Sequence, residues 1–125
     1  VSDYVKPQPP PKEGTAHPTW FDVTRYFERM ASNSGGVGWS LLVHDAGIRD
    51  AQGAEKYGVR HRPDNGRDHA VDGYQELLGA CCYWWAEAWG KPEEPMRYPT
   101  AWSMFVSTAQ LARAARQYLY DRDGR

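Results

Sequence analysis

Residues 67–89 read RDHAVDGYQELLGACCYWWAEAW, and this stretch decides the fold. Asp68, Asp72 and Glu76 recur every fourth position, which puts three carboxylates on one face of a helix. Leu77, Leu78, Cys81, Cys82, Trp84 and Trp85 then make the second half apolar nearly all round, a pattern expected of deep burial or an oligomer seam. No period-two alternation interrupts it, so the spacing predicts a helix from near Arg67 to about Trp89. Like charges stacked one turn apart repel by a few tenths of a kcal/mol per pair, about what a hard cation would offset. Asp68, at the helix start, is also explained by the macrodipole or by capping. A solvated polar face is the plainer account of all three.

Outward from this helix the chain reads as helical throughout. Trp20, Val23, Phe27 and Met30 predict a helix over 19–32, with Thr19 as cap and Ser32-Asn33-Ser34-Gly35-Gly36 as its stop. Trp39, Leu42, Val43, Ala46, Ala54 and Tyr57 predict another over 37–57, ended by Gly58. Gly47 and Gly53 weaken that helix or permit close packing. Gly90, Pro92 and Pro95 are breakers, and a last helix fits 100–121 with Thr100 as cap. The expected fold class is all-α, a compact bundle of about four helices. Residues 1–18 hold Pro7, Pro9, Pro10, Pro11 and Pro18 and read as an extended arm, more simply a solvated tail than a strap across a neighbouring subunit; 19–125 read as one helical domain.

With 125 residues, 41% apolar content and a formal net charge of −1, the chain is neither a charged disordered tail nor a strongly basic nucleic-acid binder. Adjacent Cys81 and Cys82 diverge by about 100° on a helix, and no CxxC pair exists, so reduced thiols in a cytoplasmic protein are expected. The sequence shows no signal peptide and no membrane span. Six Trp and eight Tyr suit a ring-rich core and interface, or a base-stacking pocket.

The loop VRHRPDNG and the residue after it concentrate positive charge in Arg60, Arg62 and Arg67, with His61 among them. It lies between two acid-bearing helices. Carboxylates holding a metal, with cations at the rim, suit a nucleoside triphosphate: the metal bridges phosphate oxygens and the cations neutralise the rest. Asp45 and Asp50 point about 140° apart on an ideal helix, so they cannot face one site equally. Glu55 next to Lys56 reads as a surface pair.

Asp45-Ala46-Gly47-Ile48-Arg49-Asp50, Gly53, Lys56-Tyr57-Gly58, Asn65-Gly66-Arg67-Asp68, Asp72, Gln75-Glu76 and Tyr83 together resemble small phage-type proteins with RD-x-x-G-x-x-KYG followed by NGRD-x-x-x-DAYQE. These are related to the MazG-like all-α nucleotide pyrophosphohydrolases. The match spans 45–83, leaving both ends of the chain uncovered. The resemblance implies a Mg²⁺-dependent (or Mn²⁺-dependent) homo-oligomer, a dimer or tetramer, that cleaves (d)NTPs to monophosphate and pyrophosphate. It implies Asp72 and Glu76 as catalytic residues, Asp45, Asp50, Asp72 and Glu76 as metal ligands, and Lys56, Tyr57, Arg60, Arg62, Asn65 and Arg67 as substrate contacts. Asp68 moves toward a capping role. The family's EExxE is missing, and the Asp of its ExxD falls on Gly79, which removes one ligand and one negative charge. A protein of this fold that sequesters a nucleotide without hydrolysing it, as a phage evading host defence would use, is the second expectation. A structural or interaction protein is the third, and the His44-Asp45 pair of metal phosphohydrolases a weaker fourth.

Overall fold

The computed structural model describes residues 2–89 and 99–125. Four helices account for most of them: α1 (Thr19–Ser34), α2 (Val37–Tyr57), α3 (His69–Trp89) and α4 (Pro99–Asp123), preceded by a 3-10 turn at Asp3–Val5. No strand occurs among the described residues, so the all-α expectation holds. No helix among them is long and apolar enough to cross a membrane. Contacts group the chain into two compact units, one made of 8–67 and the other of 1–7 with 68–125, where the sequence reads as an arm followed by one domain.

In the 8–67 unit, α1 and α2 pack as a helical hairpin. Helix α1 runs two residues past its expected end because Ser32 and Ser34 donate their hydroxyls back to the carbonyls of Glu28 (3.1 Å) and Met30 (2.7 Å). Gly35 and Gly36, at φ 65° and 83°, then turn the chain. Thr19 is not the cap. Pro18 holds that position, while Thr19 donates its N–H to the His61 carbonyl (2.9 Å) and places Oγ1 2.8 Å from His61 Nδ1. Helix α2 begins and ends where expected, and Gly58, left-handed at φ 74°, donates its N–H to Ala54. A Cβ at Gly47 or Gly53 would meet no atom within 4 Å, so neither glycine serves close helix packing. The helices meet through rings instead: Trp39 lies 6.0 Å from Phe27 and 6.3 Å from Tyr26.

Residues 8–19 are not a solvated tail. They run along the 60–67 loop as a strap. Lys12 N–H donates to the Asn65 carbonyl, and Asp64 accepts from Thr15 N–H (2.7 Å), Thr15 Oγ1 (3.0 Å) and Ala16 N–H (3.0 Å). A Cβ on Gly14 would stand 2.3 Å from Asp64 Oδ1, so only glycine fits there without movement.

The second unit is built on the pair α3 and α4. Alanines let these helices approach: Ala88, Ala101 and Ala112 are all buried. At one end Trp85 packs against Trp102 (5.4 Å) and Phe105 (5.0 Å) and stacks on Trp89 (6.2 Å). At the other, Tyr4 from the 3-10 turn joins Val71 and the fully buried Leu119 in the core. The Tyr4 hydroxyl donates to Asp123 (2.7 Å), and Arg116 lies over the Tyr4 ring. Helix α3 begins at His69, two residues later than expected, because Asp68 is its cap: Asp68 Oδ1 accepts from Val71 N–H at 3.2 Å. The second half of α3 is not deeply buried in the single chain; Tyr83 is 77% exposed and Trp85 42%. Gly90, Pro92 and Pro95, read as breakers, lie outside the described residues. Helix α4 starts at Pro99, one residue before the expected Thr100 cap, as suits proline in a first turn.

Candidate functional site

The residues singled out by sequence fall into both units. Asp45, Asp50, Lys56, Tyr57, Arg60, Arg62, Asn65 and Arg67 belong to the 8–67 unit, and Asp72 and Glu76 to the other.

On α2 the two carboxylates diverge, as helical geometry requires. Asp45 is exposed beside His44, with 3.4 Å between its carboxylate and Nδ1, and borders an apolar hollow of about 620 Å³ with Trp39, Leu41 and Leu42. Asp50 lines a different cavity, of about 400 Å³, with Trp20, Phe21, Thr24, Arg25, Glu28 and Arg60. Its oxygens are taken by Arg60, at 2.5 Å from Nη2 and 3.3 Å from Nε. A carboxylate held in this fork presents a positioned guanidinium to the cavity rather than two open oxygens for a metal. Arg25 lies 5.7 Å from the centroid of the Phe21 ring, so cations and rings share the cavity wall.

The end of α2 exposes Lys56 and Tyr57, with the ammonium 5.0 Å from the ring centroid. Beyond Gly58 the loop cations are used partly by the chain itself. Arg62 donates Nη1 to the Ala16 carbonyl (2.6 Å), and Arg67 donates Nη1 to the Pro9 carbonyl (2.7 Å). Asn65 is 1% exposed; its Oδ1 accepts from Arg67 N–H at 3.1 Å, a local turn that fixes the amide. Among the described residues, Arg62 Nε and Asn65 Nδ2 are buried donors with no acceptor. Burying an amide donor unpaired, as at Asn65, costs about 1–3 kcal/mol. Asp64, unremarked in the sequence, anchors the same loop. The Thr15 and Ala16 N–H groups hold its carboxyl at about 2, well below the ordinary carboxylate value.

On α3, Asp68 turns away from ligand duty. It caps the helix and also takes both Nη groups of Arg122 (2.7 and 3.1 Å), and that guanidinium holds its pKa below the ordinary carboxylate value. Asp72 is half-buried and Glu76 exposed. Gln75, between them, bonds the carbonyls of Tyr4 and Lys6, both at 2.9 Å. A Cβ at Gly79 would touch only the Tyr83 ring, at 4.0 Å, so a longer side chain would fit where the resemblance implies a carboxylate.

Among the described residues, no group of three or more His, Cys, Asp or Glu side chains is placed to hold a metal ion. Within the 8–67 unit, Asp45 and Asp50 border separate hollows and Asp50 is held by Arg60, so α2 does not offer two open carboxylates to one ion. Comparison with family models, curated proteins and solved structures finds no match to the chain.

Proposed function

We propose that this chain is a MazG-like helical protein that binds a nucleotide without hydrolysing it. The observation that carries the reading is the Asp50–Arg60 fork on the wall of a cavity also lined by Trp20 and Phe21. A guanidinium fixed by a carboxylate recognises a phosphate with little ordering cost, and an aromatic wall accepts a base. Position 79, where the resemblance implies a further carboxylate, is Gly79, and Asp50 is committed to Arg60, which supports binding over turnover. Mg²⁺ enters this reading as the nucleotide's own counter-ion.

The test is calorimetry with each (d)NTP, with Mg²⁺ and with EDTA, alongside an assay for released pyrophosphate. The expected outcome is binding with no pyrophosphate released. Arg60→Ala should weaken binding by about ten- to hundredfold, the scale of one lost charge-assisted contact. Release of pyrophosphate would restore the hydrolase; no binding of any nucleotide would overturn the reading.

Exposed apolar side chains favour a second reading, an interaction protein that self-associates. Val37 is 71% exposed and Leu41 55% on α2, and Leu111 58% on α4. Sedimentation showing a monomer at high concentration would refute it.

A further inference from the structure

The strap and the basic loop carry a consequence for access. We infer that residues 8–18 act as an intrasteric gate, an internal stand-in for a polyphosphate on the 60–67 loop. This rests on the nucleotide-binding reading, extends it from Arg60 to the loop cations Arg62 and Arg67, and adds its regulation. Pro9, Pro10 and Pro11 have no N–H, so this part of the strap cannot knit itself into a helix and leaves its carbonyls without helical partners. Two carbonyls of the strap, Pro9 and Ala16, take Nη1 of Arg67 and of Arg62, as phosphate oxygens would. The strap is fastened by Asp64, whose carboxylate accepts from Thr15 and Ala16, and by the Lys12–Asn65 backbone bond. The Lys12 stem lies against Gly66, where a Cβ would come within 3.0 Å of it.

Closure is incomplete in one respect. Arg62 Nε and Asn65 Nδ2 point their hydrogens at no acceptor among the described residues, and Asn65 is 1% exposed. A carbonyl offers two lone pairs, whereas a phosphate offers several oxygens around one centre, so an anion can satisfy donors the strap leaves over. The strap therefore covers the loop without completing its bonds, which is the arrangement of a displaceable cover.

Gly14→Ala is the cleaner perturbation, because its Cβ cannot share space with the Asp64 carboxylate and the clasp must shift without a change of charge; Asp64→Ala unfastens the strap by a second route. The probe is inorganic tripolyphosphate, titrated by calorimetry into the full chain and both variants. Hydrogen exchange at the Thr15 and Ala16 amides reports opening. Both variants are expected to exchange at least about tenfold faster at these amides and to bind tripolyphosphate about tenfold tighter, the change expected if the closed strap competes by about one decade in the equilibrium. Adding Arg62→Ala to the Gly14→Ala chain should abolish the gain. Faster exchange without tighter binding overturns the gate, as does unchanged exchange in both variants or the absence of tripolyphosphate binding to any form. Nucleotide binding that is equal in the parent chain and Gly14→Ala overturns the gate and leaves the proposed function standing. Tripolyphosphate binding to the opened chain without any nucleotide binding does the reverse.

Discussion

Asp68 separates two roles that a single substitution would blur. It caps α3 through Val71 N–H and pairs with Arg122 across to α4. Asp68→Asn keeps an acceptor for Val71 and removes the charge. Asp68→Ala removes both. An N-cap of this kind contributes about 1 kcal/mol. The ion pair is more than a third exposed on both sides and adds at most about 1 kcal/mol after screening. Asp68→Ala should therefore cost about 1.5 kcal/mol and Asp68→Asn about 0.5 kcal/mol, since Asn is itself a good cap. Urea unfolding followed by helical circular dichroism measures both, and hydrogen exchange at the Val71 amide localises the loss to the first turn of α3. High salt should shrink the cost of Asn and leave most of the cost of Ala. An Asn variant as damaged as the Ala variant would refute the capping assignment and make charge the dominant role.

Leu119→Ala should be the most damaging core truncation in the α3–α4 unit, at about 3 kcal/mol, because Leu119 is wholly buried against Tyr4 and Val71; denaturant unfolding checks it. Asp64 gives a pH signature with a definite sign. Its folded-state pKa is depressed to about 2 from an ordinary 3.8, so its contribution to holding the strap is fully present above pH 4 and is lost as pH falls through about 2. The amide resonances of Thr15 and Ala16 should titrate with a midpoint near 2, and a midpoint near 3.8 would refute the clasp.

Helix type and extent were legible because they depend on local rules. Gly58 stops α2 by adopting a left-handed conformation, a property of glycine itself, and the period of Trp39, Leu42 and Ala46 needs no knowledge of the partner helix. The errors arose where a residue answers to something distant. Thr19 looks like a cap in its own neighbourhood, but His61, forty-two residues on, engages it. Arg62 and Arg67 look like open phosphate contacts until the strap brings carbonyls to them. Asp64 was overlooked because its partners, Thr15 and Ala16, are polar backbone in a proline-rich run that carries no periodic signal. Asp50 could be recognised as acidic and placed on a helix, but not seen to be neutralised by a guanidinium ten residues later.

The division of the chain has a consequence for the order in which it is made. Tyr4 belongs to a unit whose other core members, Val71 and Leu119, follow it by more than sixty residues, whereas residues 8–67 form a compact unit that is whole once Arg67 has emerged. Arg67 reaches back to Pro9, so the two points where the inner segment joins the rest of the chain are drawn together by the segment's own bonds. Such a segment is a self-contained cassette spliced into an outer pair of helices: it can fold on the ribosome while the opening residues wait, and its joined ends make it a natural place to cut, permute or transplant.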